Sequence, residues 1–246
     1  MNLRGRLVLR GALATAGWFF TAAAASASVT PQERSVFDPV RNRNIPILVY
    51  ATSQRSAKPL VIISHGKGIK NAEYGFIASS IAERGYVVAS IQHDLPGDPP
   101  VPNTGNIPRD RTPGWRAQVN SILLVAKALS RDASYTFRGA PILIGHSNGG
   151  DASMMAARDY PSRFSIVMSL DNRRFALPRT SRPRICTLRS SDQKPDPGVM
   201  PMSNELNEFS IRVTFAANLR HDDMWDGATP EQKSQILDAI WGCLNP

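Results

Sequence analysis

Four short apolar runs constrain this chain more than any other feature: residues 59–63 (PLVII), 86–91 (YVVASI), 141–144 (PILI) and 164–170 (FSIVMSL). Each is apolar at nearly every position rather than at alternate ones, which suits strands buried on both faces. Helix-like stretches separate them. Residues 73–84 place Phe76, Ile77, Ile81 and Ala82 at helical spacing and end at Gly85. A helical pattern runs from 115 to 129, another from Asn148 to Arg158 before Pro161, and a last one from Pro230 to Leu244. Further strand-like segments occupy 35–38, 45–50, 185–188 and 211–216. Strands alternating with helices predict βαβ units and a mostly parallel sheet covered on both faces. Residues 95–114, rich in Pro and Gly, read as a loop inside one domain covering 28–246.

The N-terminus reads as something other than fold. Arg4, Arg6 and Arg10 precede the apolar stretch GALATAGWFFTAAAA, and Ala25-Ser26-Ala27 follows it. Basic start, apolar middle and small-x-small end predict a secretory leader cleaved after Ala27. No later stretch is long and apolar enough to span a bilayer. Losing the three arginines takes the net charge from +9 to +6. The remaining basic residues are scattered without interleaved aromatics, so nucleic acid is not an expected partner. The expected compartment is secreted or periplasmic, hence oxidising. Cys186 and Cys243 are nevertheless expected as two buried free thiols rather than a pair.

The sequence GHSNGG, Gly145 to Gly150, follows an apolar strand and opens a helix rich in small residues. In a G-x-S-x-G turn the serine is held in strained backbone geometry, and small neighbours let strand and helix approach. Ser147 is thus a candidate nucleophile, but a hydroxyl at its ordinary pKa needs a base. Of His65, His93, His146 and His221, only His221 follows Ser147, as the order Ser, acid, His demands. Three aspartates lie beyond strand ends between the two: Asp192 is the favoured acid, with Asp171 next and Asp196 last. The acid would orient the imidazole and stabilise the imidazolium. Two backbone N–H groups would receive the oxyanion: that of Asn148, after the nucleophile, and that of Lys67 in the turn His65-Gly66-Lys67-Gly68. No histidine has a metal-ligand partner at fitting spacing, so neither metal nor cofactor is expected. Trp115, Met224 and Trp225 could line an acyl pocket, although large apolar residues are more often core.

On these residues the chain resembles the α/β-hydrolase superfamily. The similar features are DPVRNRNIP at 38–46, SHGKG at 64–68, GYVV at 85–88, the elbow GHSNGG and the late His221. Dienelactone hydrolases and platelet-activating-factor acetylhydrolase-like esterases look like its nearer relatives. The resemblance implies a Ser–His–Asp hydrolase on an eight-stranded sheet, and the leading expectation is an exported enzyme that cleaves carboxylic esters of small molecules through an acyl-enzyme. It also implies two homes for the acid: acetylhydrolase-like members carry it after the strand that here ends in Asp171, most others near Asp192. Dienelactone hydrolases proper use cysteine where this chain has Ser147. Only residues 172–184 separate two strands that often bracket a lid, so the site should be open, rimmed by 95–114 and 192–204. The same triad could cut amides, lactones or thioesters, and a catalytically silent binding protein on this fold is the alternative from another class.

Overall fold

The structure, a computed structural model, describes residues 29–52 and 57–245. The expected leader, 1–27, lies outside the described residues. The strands are β1 (Gln32–Asp38), β2 (Arg43–Tyr50), β3 (Val61–Ser64), β4 (Val88–Ile91), β5 (Ile142–His146), β6 (Ile166–Leu170), β7 (Arg184–Arg189) and β8 (Arg212–Phe215). The helices are α1 (Gly75–Glu83), α2 (Ile107–Ser130), α3 (Ser147–Asp159), α4 (Ser203–Glu208) and α5 (Pro230–Leu244). All eight strands form one sheet in the order β1-β2-β4-β3-β5-β6-β7-β8. β2 runs antiparallel to both β1 and β4, and every other pairing is parallel.

The continuous apolar runs have the cause expected of them. Successive side chains point to opposite faces, and each face is covered by helices. Ile62, Leu143 and Val167 meet Trp115, Ile122 and Met155 on the α2–α3 side. Val61, Ile63, Ile144 and Leu188 meet Ile77, Ile81, Ile236 and Ile240 on the α1–α5 side. Each such aliphatic side chain contributes about 1.5–3 kcal/mol by leaving water.

Two expectations are corrected. The stretch 95–114 is loop only as far as Asn106. The Asn106 side chain accepts from the Arg109 N–H (3.0 Å) and caps α2 eight residues earlier than the periodicity suggests. Pro108 sits in the first turn, where its missing N–H has no helical partner anyway. Pro113 lies inside the helix and forgoes one backbone bond. The second correction is that Cys186 of β7 and Cys243 of α5 form a disulfide. The helix packs across the strand so that the two Cα atoms lie 6.1 Å apart, and no sequence periodicity records that crossing. Among the described residues no helix is long and apolar enough to cross a membrane.

Candidate active site

β5 enters the turn at His146 and α3 leaves it at Ser147, so the serine stands at the N-terminus of a helix. Its φ is +51°, the left-handed region a side chain rarely adopts. The neighbouring glycines make that geometry possible. A Cβ on Gly145 would lie 2.3 Å from the Gly149 carbonyl oxygen, and one on Gly149 would lie 2.4 Å from the Ser64 carbonyl oxygen. Strand, helix and the end of β3 therefore touch through bare backbone.

His221 follows β8 on a short 3-10 turn and is 4 % exposed. Its Nε2 lies 2.9 Å from Ser147 Oγ, and its Nδ1 lies 2.7 Å from Asp171 Oδ2. A carboxylate only accepts, so Nδ1 carries the ring proton and Nε2 is left to accept from the serine hydroxyl. The structure thus brings Ser147 and His221, the two residues singled out in the sequence, into contact.

The carboxylate at the imidazole is not the favoured one. Asp171, not Asp192, meets the ring. Asp171 directly follows β6 with φ +56°, a left-handed turn at the end of the strand. Asp192 instead accepts from the His221 backbone N–H (2.7 Å) and stands 3.7 Å from Arg220. Asp192 holds the backbone of the His221 turn, and Asp171 holds the His221 ring. Asp196 is ion-paired to Arg174.

The Asp171 carboxylate is wholly buried and surrounded by donors. Ser190 N–H (3.1 Å) and Arg189 (2.9 Å) reach Oδ1, while Ser190 Oγ (2.7 Å) and His221 reach Oδ2. Burial would raise its pKa, but the His221 bond, the Arg189 charge and the Ser190 bonds outweigh burial, and the carboxyl lies below its ordinary value. Arg189 and Ser190 carry no motif; only the pairing of β6 with β7 brings them to Asp171.

Lys67 and Asn148 face one cavity of about 510 Å³. Leu95 and Pro99 through Pro102 of the 95–114 segment also line it, and none of 192–204 does. Trp115 Nε1 donates to Asn148 Oδ1 (2.9 Å), which fixes the residue after the nucleophile. Trp115 and Met224 are buried in the core, and Trp225 is half-buried with its Nε1 on the Asp222 carbonyl (2.6 Å); none lines this cavity. The segment between β6 and β7 contains no helix and is pinned down by Asp151, which accepts from the N–H groups of Arg174 (3.0 Å) and Phe175 (2.8 Å). Among the described residues no three His, Cys, Asp or Glu side chains gather as a metal site.

No family model matches the sequence, and no curated protein matches it. The similarity is structural. A ferulic acid esterase from Streptomyces cinnamoneus superposes with a TM-score of 0.62 at 16% identity, over 86% of this chain and 82% of that one. A dienelactone hydrolase from Anabaena variabilis gives 0.59 at 18%, over 86% and 97%. A predicted CIB-like hydrolase from Thermoplasma acidophilum gives 0.59 at 14%, over 88% and 99%. The chain spans 41% of the longer epoxide hydrolase A from Mycobacterium thermoresistibile. At such identities the superpositions speak for architecture, and together with the sheet order and the strand-turn-helix at Ser147 they show that this chain has the α/β-hydrolase fold.

Proposed function

We propose that the chain is a serine hydrolase that cleaves carboxylic esters of small molecules through an acyl-enzyme, and that it is exported. The observation that carries the reading is the line Ser147 Oγ, His221 Nε2, His221 Nδ1, Asp171 Oδ2, with successive contacts of 2.9 and 2.7 Å. Ser147 Oγ attacks the ester carbonyl carbon while His221 Nε2 takes its proton. The carbonyl oxygen becomes an oxyanion and receives the N–H groups of Lys67 and Asn148, each worth about 3 kcal/mol. The tetrahedral intermediate collapses, the C–O bond to the alcohol breaks, and the imidazolium returns the proton to the leaving oxygen. Water repeats the sequence on the acyl-serine and releases the acid. Asp171 stays ionised throughout, as its buried donors favour.

The absence of a helical insertion between β6 and β7 suits small or protruding esters rather than lipid aggregates gated by a lid. Export is supported by the leader-like N-terminus and by the disulfide, which persists in oxidising compartments. The esterase and hydrolase named among the structural neighbours agree with the reaction class. A fluorophosphonate probe tests the reading. Labelling that vanishes in Ser147→Ala is expected; folded protein that takes no label would make this a binding protein. A series of p-nitrophenyl esters of rising chain length then measures the depth of the cavity.

A further inference from the structure

Two buried histidines that hold no position in the triad surround the peptide that offers the Lys67 N–H. His65 Nδ1 lies 2.8 Å from the Gly66 carbonyl oxygen, and the Ile69 N–H reaches the same oxygen at 3.2 Å. That carbonyl belongs to the same planar unit as the Lys67 N–H, which points the opposite way. Fixing the oxygen therefore fixes the direction of the donor. On the preceding peptide, the Gly66 N–H donates to Tyr74 Oη (2.9 Å). Tyr74 Oη lies 2.7 Å from His146 Nδ1, and His146 Nε2 lies 3.0 Å from the His221 carbonyl oxygen.

The protons in this chain have one arrangement. The His221 carbonyl can only accept, so His146 carries its proton on Nε2 and accepts from the Tyr74 hydroxyl at Nδ1. The Tyr74 oxygen is then free to accept from Gly66. His65 Nε2 accepts from the His93 N–H (2.9 Å), so the His65 proton sits on Nδ1 and goes to the Gly66 carbonyl. Both rings are buried, at 0 % and 2 % exposure, and burial lowers both pKa values, that of His146 to about 3. Glycine is needed at 66: a Cβ there would lie 2.9 Å from His146 Nδ1.

We infer that His65 and the Tyr74–His146 pair are positioning residues: His65 holds the Gly66–Lys67 peptide by its carbonyl, the pair holds the preceding peptide by the Gly66 N–H and ties it to the backbone of His221, and together, as a clamp, they preset the oxyanion donor against the base. The inference rests on the proposed function. Its chemistry is transition-state chemistry: a donor already aimed costs no reorganisation when the charge develops. Loss of the clamp should therefore lower kcat and leave KM nearly unchanged.

The test uses the full chain and p-nitrophenyl acetate, with active sites counted by fluorophosphonate labelling. His65→Leu and Tyr74→Phe are expected to lose at least tenfold in kcat per labelled site, with KM within threefold of the parent. His65→Asn, whose amide N–H can reach the same carbonyl, is expected to recover to within threefold. Undiminished kcat per site in Tyr74→Phe and in whichever His65 variant folds would overturn the clamp. So would His65→Asn falling as far as His65→Leu, because ring volume rather than the hydrogen bond would then matter. If the parent protein neither labels nor turns over, it is the hydrolase reading that fails; an active parent with undiminished variants removes the clamp alone.

Discussion

Exchanging the two neighbouring aspartates for asparagine gives opposite outcomes, and the reason is the inventory of hydrogen atoms around each. No contact to the Asp171 carboxylate is an acceptor: the Arg189 cation pairs with Oδ1, Ser190 N–H donates to Oδ1, and Ser190 O–H and His221 N–H donate to Oδ2. In Asp171→Asn the new amide would have to turn its NH2 toward one pair. Facing Arg189, it sets a donor against a buried cation; facing His221, it forces the ring proton from Nδ1 to Nε2. The second orientation is the cheaper, and it leaves His221 donating to Ser147 Oγ instead of accepting from it. The base is lost although nothing has moved. The expected cost in Asp171→Asn is about 10³–10⁴-fold in kcat, roughly 4–5.5 kcal/mol of barrier. Asp192 meets the backbone N–H groups of His221 and of its own residue, the Ser190 hydroxyl, and a largely exposed arginine 3.7 Å away. In Asp192→Asn the amide can turn its oxygen to the His221 N–H, and an exposed ion pair is worth about 0–1 kcal/mol. Asp192→Asn should keep kcat within about fivefold, the equivalent of about 1 kcal/mol. The assay is kcat per fluorophosphonate-reactive site, with thermal unfolding of both variants recorded alongside. A reversed ranking, Asp192→Asn inactive and Asp171→Asn near parental, would refute the reasoning.

Further outcomes are expected. Arg189→Met should lower unfolding free energy by about 3–5 kcal/mol in urea titrations, because it leaves a buried carboxylate beside no cation; a change under about 1 kcal/mol would contradict the account of that pair. Gly149→Ala should abolish labelling and lower Tm, since its Cβ would overlap the Ser64 and His65 carbonyl oxygens; a fully active alanine variant would count against the elbow geometry. Reducing Cys186–Cys243, 57 positions apart, should cost about 2–4 kcal/mol in urea unfolding with and without reductant. His146 stays neutral in the fold to about pH 3, whereas the unfolded chain protonates it near 6.5. The unfolded state thus binds the extra proton between those values, so stability is full above about pH 6.5 and falls below it by about 1.4 kcal/mol per pH unit for this one group. Urea midpoints at about pH 7 and about pH 4.5 measure it, and equal midpoints would show that His146 protonates in the folded state.

How far the sequence carries depends on the range of the contact involved. The apolar runs and the elbow are local patterns, and β3, β4, β5 and β6 all lie where the runs stand, within a few residues at their ends. His221 was accessible through chain order alone. The acid was not, because Asp171 and Asp192 both follow strands on the same side of the sheet. What separates them is the left-handed turn at Asp171, the charge of Arg189 and the donors of Ser190 at the end of the next strand, none of which has a sequence signature. Tyr74 is invisible for the same reason: its partners Gly66 and His146 are 8 and 72 residues away. Periodicity also missed the first turns of α2, where Pro and Gly give the composition of a loop while Asn106 and Pro108 give the chemistry of a helix start.

The bond between Cys186 and Cys243 closes a covalent ring, and the proposed triad straddles its boundary. His221 sits inside that ring, together with Arg189 and Asp192; Ser147 and Asp171 belong to the open chain before it. Reduction would therefore open the covalent ring on the His221 side alone. The segment that delivers the imidazole loses its tether, while the serine and the carboxylate keep theirs in the middle of the sheet. Reactivity toward a serine probe would fade under such conditions before the parallel core gives way, so the redox state of the surroundings would be read first at the base.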